Sequence, residues 1–277
     1  MGFGKQAVRV LLATLAVLIT LGLSVVMVLE PQASSPAAVN QTAGALANKD
    51  EVAFLPLVAR MEPKTTLPFA DGFGQFMSPD WTVYPFHGED WKQDENLGIY
   101  WCNYDSEETD RDDWWGLSMY LGPGSELWAD YEATTVLKSS KAGSITGGLA
   151  GVWVRGSYAP DGTVGGYYIH LKRRTDEVNL WRIRPGAQNL GDADMVRAVK
   201  YIPGLGSRWF SLKVRVQGAN IKAWLKDSTE PESAYRLLFD WTDPNSTYLQ
   251  GTVGLSSYRS RAVYDAISVE EIGSSSR

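Results

Sequence analysis

Side chains along the second half of this chain alternate between polar and apolar with a period of two, and few folds satisfy that pattern. It is clearest in Trp209-Phe-Ser-Leu-Lys-Val-Arg-Val-Gln217, where Phe210, Leu212, Val214 and Val216 take turns with Ser211, Lys213, Arg215 and Gln217. Successive residues of a β-strand point to opposite sides, so such a segment has one core face and one wet face. Gly218-Ala-Asn220 then leads into Ile221-Lys-Ala-Trp-Leu-Lys226, which alternates again, and the pair predicts an antiparallel hairpin. Similar short runs rich in Val, Ile, Tyr, Trp and Thr predict strands near 98–104, 116–121, 130–138, 148–156, 165–173, 177–183, 236–241, 250–257 and 262–272. No amphipathic helix of three turns competes with them. About a dozen strands in roughly 200 residues exceed an immunoglobulin-like unit and predict two large antiparallel sheets packed as a jelly-roll sandwich.

The first sixty or so residues are of another kind. Residues 10–29 (VLLATLAVLITLGLSVVMVL) carry no charge. As a helix they span roughly 30 Å, the thickness of a hydrocarbon core. The apolar run exceeds that of a cleavable signal, and no small-residue cleavage site follows closely, so an uncleaved signal anchor over residues 1–30 is expected. Lys5 and Arg9 precede it, which keeps the N-terminus in the cytoplasm and exports the rest. Residues 31–66, rich in Ala, Ser, Pro, Asn, Gln and Thr, read as a flexible linker. Residues 67–273 form the sandwich domain, placed outside a cell membrane.

A net charge of −6 argues against a nucleic-acid partner, which needs a clustered positive surface. The basic runs Lys172-Arg173-Arg174 and Arg182/Arg184 read as outward, solvated rows. The single cysteine, Cys102, excludes an intrachain disulfide and a cysteine-based zinc site, and it reads as a buried thiol. His87 and His170 have no nucleophile near them in sequence and read as structural or surface histidines. Asn40-Gln-Thr42 and Asn245-Ser-Thr247 match the glycosylation acceptor pattern.

The chain resembles the concanavalin A-like lectin/glucanase superfamily, particularly laminin-G-like domains and the related domain of 3-keto-disaccharide hydrolases. The resemblance is carried by Phe69-Ala-Asp-Gly-Phe73 with Trp81, by Trp128-Ala-Asp-Tyr-Glu132, and by Gly148-Leu-Ala-Gly-Val-Trp-Val-Arg155 with Gly166-Tyr-Tyr-Ile-His-Leu171. It continues through Trp209–Trp224 and Gly251-Thr-Val-Gly-Leu255 to Val263-Tyr-Asp-Ala-Ile-Ser-Val269. It covers roughly residues 68 to 272. It implies a saccharide as ligand or substrate, and a structural calcium stapling the terminal strands through Asp71 and Asp265. The Glu-x-Asp-x-x-Glu signature of the superfamily's glucanases is absent.

Asp105-Ser-Glu-Glu-Thr-Asp-Arg-Asp-Asp113 is the most unusual segment, acidic and running into Trp114-Trp115. It reads as a solvated acidic loop, as an oxygen-rich calcium loop, or as a source of paired carboxylates. Trp91, Trp114 and Trp115 flank loops and are the candidates for an exposed ligand surface. The expectation is a membrane-anchored, non-catalytic carbohydrate-binding module for an extracellular glycan. One alternative is a hydrolase or lyase acting on a keto-disaccharide or glycan through Asp110, Asp112 or Asp113, and a second is a structural or protein-interaction domain.

Overall fold

The computed structural model describes residues 67–83, 91–104, 116–142, 149–159, 161–187, 193–202, 204–258 and 260–273. They lie in one compact unit, Ala59–Arg277. The segments 1–30 and 31–66 assigned above fall outside the described residues. Among the described residues no helix is long and apolar enough to cross a membrane.

The described elements are β1 (Phe69–Asp71), β2 (Trp81–Val83), β3 (Trp91–Asp94), β4 (Ile99–Tyr104), β5 (Gly116–Tyr120), β6 (Tyr131–Ala142), β7 (Leu149–Tyr158) and β8 (Val164–Lys172). They continue as β9 (Glu177–Ala187), β10 (Ala193–Lys200), β11 (Phe210–Gln217), β12 (Asn220–Asp227), β13 (Arg236–Thr242), β14 (Thr252–Tyr258) and β15 (Ser260–Glu271). Two one-turn 3-10 helices, Ser125–Leu127 and Glu232–Ala234, join strands. The strands form two antiparallel sheets. One runs β13-β12-β11-β6-β15-β4-β3, with β1 also paired to β15, and the other runs β10-β9-β8-β7-β14-β5-β2. The all-β, two-sheet architecture is the one that the alternation predicts.

The main core lies between the sheets. It joins Leu137, Leu212, Val214 and Ile267 of the eight-stranded sheet to Val152, Ile169, Leu180 and Leu255 of the seven-stranded one. The β11–β12 hairpin turns at Gly218-Ala219 in the expected register, with Gln217 opposite Asn220 and Gly218 at a φ of 51°. Strand β11 keeps the expected wet face, but β7 and β8 do not: Leu149–Gly156 and Val164–Leu171 are buried on both sides. A second apolar cluster of Leu117, Met119, Trp153, Tyr168 and Ile183 accounts for the extra burial. The expected solvated basic rows hold for Arg174 and Arg184, which are exposed, and are corrected at Arg182. Strand β8 ends at Lys172, which pairs with Glu177, while Arg182 is held by Asp194 at 3.1 Å and Asp243 at 3.0 Å.

Two polar devices tie the sheets together. Register shifts in β7, β8 and β14 coincide around Arg155, whose φ of 49° is the left-handed conformation. Its side chain, 0% exposed, donates to the carbonyls of Ala129, Tyr248 (2.8 Å) and Gly218, three separate connections. The second device is Tyr264 of β15. Its hydroxyl crosses the core to the β7–β14 ladder, where it accepts from the amides of Gly151 and Ser256, each at 3.2 Å. It lies 2.9 Å and 2.7 Å from the carbonyls of the same two residues, to one of which it donates.

Candidate functional site

The outer face of the seven-stranded sheet is built by three neighbouring strands. Register places Trp153 of β7 beside Tyr168 of β8 and Trp181 of β9, and in the next row Gly151 beside His170 and Asn179. The inward partners of these residues, such as Val152, Ile169 and Leu180, belong to the main core, so alternation forces the aromatic and polar set outward. Trp153 stacks on Tyr168 with ring centroids 5.5 Å apart, and His170 lies 4.8 Å from Tyr168 and 5.9 Å from Trp181. Trp181 and Tyr258 are half-buried at the margin of this face.

Polar atoms on this face lack partners. His170 is 1% exposed and Asn179 2%, yet neither ring nitrogen of His170 nor Oδ1 of Asn179 makes a hydrogen bond. The indole N–H of Trp181 is also buried without an acceptor. A polar group left so costs about 1–3 kcal/mol, and folds retain few of them unless a ligand or another role repays it. Burial, aided by the charge of Lys172, lowers His170 from 6.5 to about 3. Its imidazole is therefore neutral, offering one donor and one acceptor. Together these groups make a neutral, hydrogen-bonding set enclosed among aromatic rings. Among the described outward residues of β7, β8 and β9 the one carboxylate is Glu177, engaged by Lys172 at 3.7 Å and by the Thr175 hydroxyl at 2.8 Å.

The tight His170 row requires a glycine. A Cβ on Gly151 would sit 2.2 Å from the carbonyl oxygen of Ile169 and 2.6 Å from Cα of His170, both backbone atoms that cannot rotate away. Gly151→Ala is expected to destabilise the domain by about 2–3 kcal/mol, measured by urea unfolding. A change below about 0.5 kcal/mol would contradict the packing described.

A cleft of about 290 Å³ lies on the outer face of the other sheet, lined among others by Glu132, Ser211, Lys213, Glu232 and Tyr235. Its charges already answer one another: Lys213 lies 2.7 Å from Glu232 and 3.6 Å from Glu132, and Arg215 lies 2.7 Å from Glu132. It leaves fewer unmet groups than the His170 face.

The residues expected from sequence are placed differently. Trp91 is a core residue, 7% exposed and opposite Cys102 in the β3–β4 ladder, with its ring 4.6 Å from Tyr100 and 6.1 Å from Tyr264. It forms no exposed platform, because the short strand β3 turns it inward. Cys102 is buried, as expected. Trp114, Trp115, Asp110, Asp112 and Asp113 lie outside the described residues, as does His87.

Asp71 is 6% exposed, and its oxygens accept from the amides of Phe73 and Ser78, both at 2.8 Å, and from the Trp81 indole at 2.9 Å. Three N–H donors around one carboxylate suit a loop organiser and not a calcium ligand. Asp71 sits opposite Ile267, while Asp265 is exposed at a register shift in β15. The pair does not fit the implied calcium site, and among the described residues no group of three or more His, Cys, Asp or Glu side chains could hold a metal. Sequence reasoning read His170 as a structural or surface histidine and did not single out Asn179, because their separation in sequence hides their pairing across β8 and β9.

No family model matches the chain, and no curated protein matches it in sequence. Solved structures do share its fold, two antiparallel sheets packed as a sandwich. The carbohydrate binding module CBM66 from Bacillus subtilis is similar with a TM-score of 0.50 and 19% identity, over 69% of this chain and 96% of that one. A native glycosidic hydrolase is similar with a TM-score of 0.53 and 11% identity, over 74% and 96%. The exoplasmic/lumenal domain of VIP36, in a form bound to Ca²⁺ and Man3GlcNAc, is similar with a TM-score of 0.51 and 10% identity, over 74% and 89%. At these identities the likeness shows the fold.

Proposed function

We propose that this protein is a non-catalytic glycan-binding module, anchored to a membrane by residues 10–29, which contacts its sugar through the outer face of the seven-stranded sheet. The observation that carries the reading is the His170–Asn179 pair, buried among aromatic rings with polar atoms unanswered. Sugars present apolar ring faces edged by hydroxyls that both donate and accept, and a neutral imidazole beside a carboxamide matches that double character. The glycan is seated at the margin, on the half-buried Trp181 and Tyr258, beside this closed set. That a carbohydrate binding module and a mannoside-bound lumenal domain share the fold supports the ligand class. The non-catalytic reading is supported by Glu177, the one carboxylate among the described outward residues of β7, β8 and β9 and an engaged one, where hydrolysis of a glycosidic bond needs two. The hydrolase alternative rests on Asp110, Asp112 and Asp113, for which no geometry is described. The anchor rests on the apolar sequence of residues 10–29.

Affinity electrophoresis of the full chain through gels containing neutral polysaccharides tests the reading. Retardation is expected on at least one, with Asn179→Ala and Trp181→Ala each weakening it about tenfold, the loss of one or two good contacts. Free migration through every polysaccharide, or variants that bind like the parent, would remove the proposal.

A further inference from the structure

The opposite side of the sandwich carries a pattern of another kind. On the outer face of the eight-stranded sheet, Lys92 of β3 lies opposite Trp101 of β4, Trp101 opposite Val263 of β15, and Val263 opposite Lys138 of β6. Trp209, just before β11, continues the row, because the next residue, Phe210, pairs with Leu137. Cation and aromatic thus recur across the strands. Lys92 Nζ sits 5.6 Å from the Trp101 ring, Lys138 Nζ 5.8 Å from the Trp209 ring, and Arg261, two residues from Val263 on β15, covers Trp101 at 4.3 Å.

Cation–π attraction holds these three charges in place at little cost to their side-chain freedom later. Lys92 and Arg261 are exposed and Lys138 half-buried, and among the described residues none of the three has a carboxylate within ion-pair distance. In a chain of net charge −6, three cations on one face without a carboxylate partner among the described residues amount to a local anion site.

We propose that this row binds an acidic polysaccharide, a chain of sugar rings bearing carboxylate or sulfate groups. Neighbouring strands are about 4.8 Å apart, so Lys92 and Lys138 stand roughly 14 Å apart. That separation suits a polymer whose charge recurs every ring or two. The edges of Trp101 and Trp209, both half-buried, supply the apolar contact that ring faces require. A bilayer or a nucleic acid fits less well. Each presents phosphates over a broad surface, whereas these cations stand along a narrow line, and Val263, 8% exposed, is no inserting wedge. The site is independent of the His170 face and stands on the other side of the domain.

The test is affinity electrophoresis of the full chain through polygalacturonate, through the same polymer fully methyl-esterified, and through a sulfated galactan. Duplex DNA and phosphatidylglycerol vesicles run in parallel. Retardation is expected on polygalacturonate or the sulfated galactan, lost on esterification in the first case. It should weaken at least tenfold in the triple variant Lys92→Gln, Lys138→Gln, Arg261→Gln, whose changes at surface cations leave the fold intact by circular dichroism. Raising salt to about 0.5 M, where screening acts within a few ångströms, should weaken it similarly. Asn179→Ala should leave it unchanged, which separates this site from the His170 face. The proposal is overturned by free migration through both acidic polymers, by retention that the triple variant does not alter, or by tighter binding to DNA or vesicles that depends on the same three cations.

Discussion

Replacing Arg155 by methionine is expected to destabilise the domain by about 3–5 kcal/mol, the range seen when one member of a buried charged network is removed. The guanidinium is closed from solvent and bonds the carbonyls of Ala129, Gly218 and Tyr248, in three connections far apart in sequence. Methionine restores most of the volume, so the loss reports the hydrogen bonds and the unmet carbonyls they leave behind. Thermal unfolding should show a midpoint lower by roughly 10 °C for a domain of this size. Arg155→Lys keeps the charge but not the planar fork of donors, and should fall between the two. A methionine variant within about 1 kcal/mol of the parent would mean that the three connections hold their places without the clamp.

Acid should weaken the fold well before its carboxylates protonate. His170 in the folded chain is held at about 3 by burial and, less, by Lys172, against 6.5 when solvated. The unfolded chain therefore takes up a proton that the folded chain refuses. The stability tied to this residue is complete above pH 6.5 and is lost as pH falls from there toward 3. Within that window each pH unit removes about 1.4 kcal/mol.

Asp243 acts lower on the scale. Burial alone would raise it, but hydrogen bonds from Tyr167, Asn245 and Thr247 outweigh that and hold it well below the usual carboxylate range. Its contribution is complete above about 3.8 and declines only below that, so His170 acts first. Urea unfolding of the parent and of His170→Gln at pH 7.5, 6 and 4.5 separates them. The parent should lose about 2–3 kcal/mol more than the variant across that range. Parallel pH profiles would show that the imidazole is solvated after all.

The strands legible in the sequence were those with strong alternation or dense β-branched and aromatic content. The predicted strands at 98–104, 116–121 and 236–241 correspond to β4, β5 and β13 within a residue at each end. The period of two survives wherever one face meets water. The predicted set omits β1, β2 and β3, each three or four residues long, because so short a segment cannot display a period. It also omits β10, an edge strand whose largely open burial follows no alternation. Trp91 shows the cost. Read as the flank of a loop it was an exposed platform, but in β3 it faces the core.

The candidate site was less legible still. His170 and Asn179 are nine residues apart with nothing distinctive between them, and only the β8–β9 register makes them neighbours. The Lys92–Trp209 row draws on five strands or their flanks, and an overall negative charge concealed it. Nothing in the sequence marks Arg155 as a clamp, because the register shift that turns it aside appears only in the strand pairing.

The Tyr264 hydroxyl also bears on how the two layers are aligned. Oily contact alone has no preferred direction, and stacked sheets held only by it could shift against each other by a residue at small cost. A phenol lodged between the main-chain groups of Gly151 and Ser256 acts as a dowel, because any slip would strand four backbone atoms. The offset between the two outer faces is thereby set, and a sugar on one and a charged polymer on the other would be held back to back at one fixed angle.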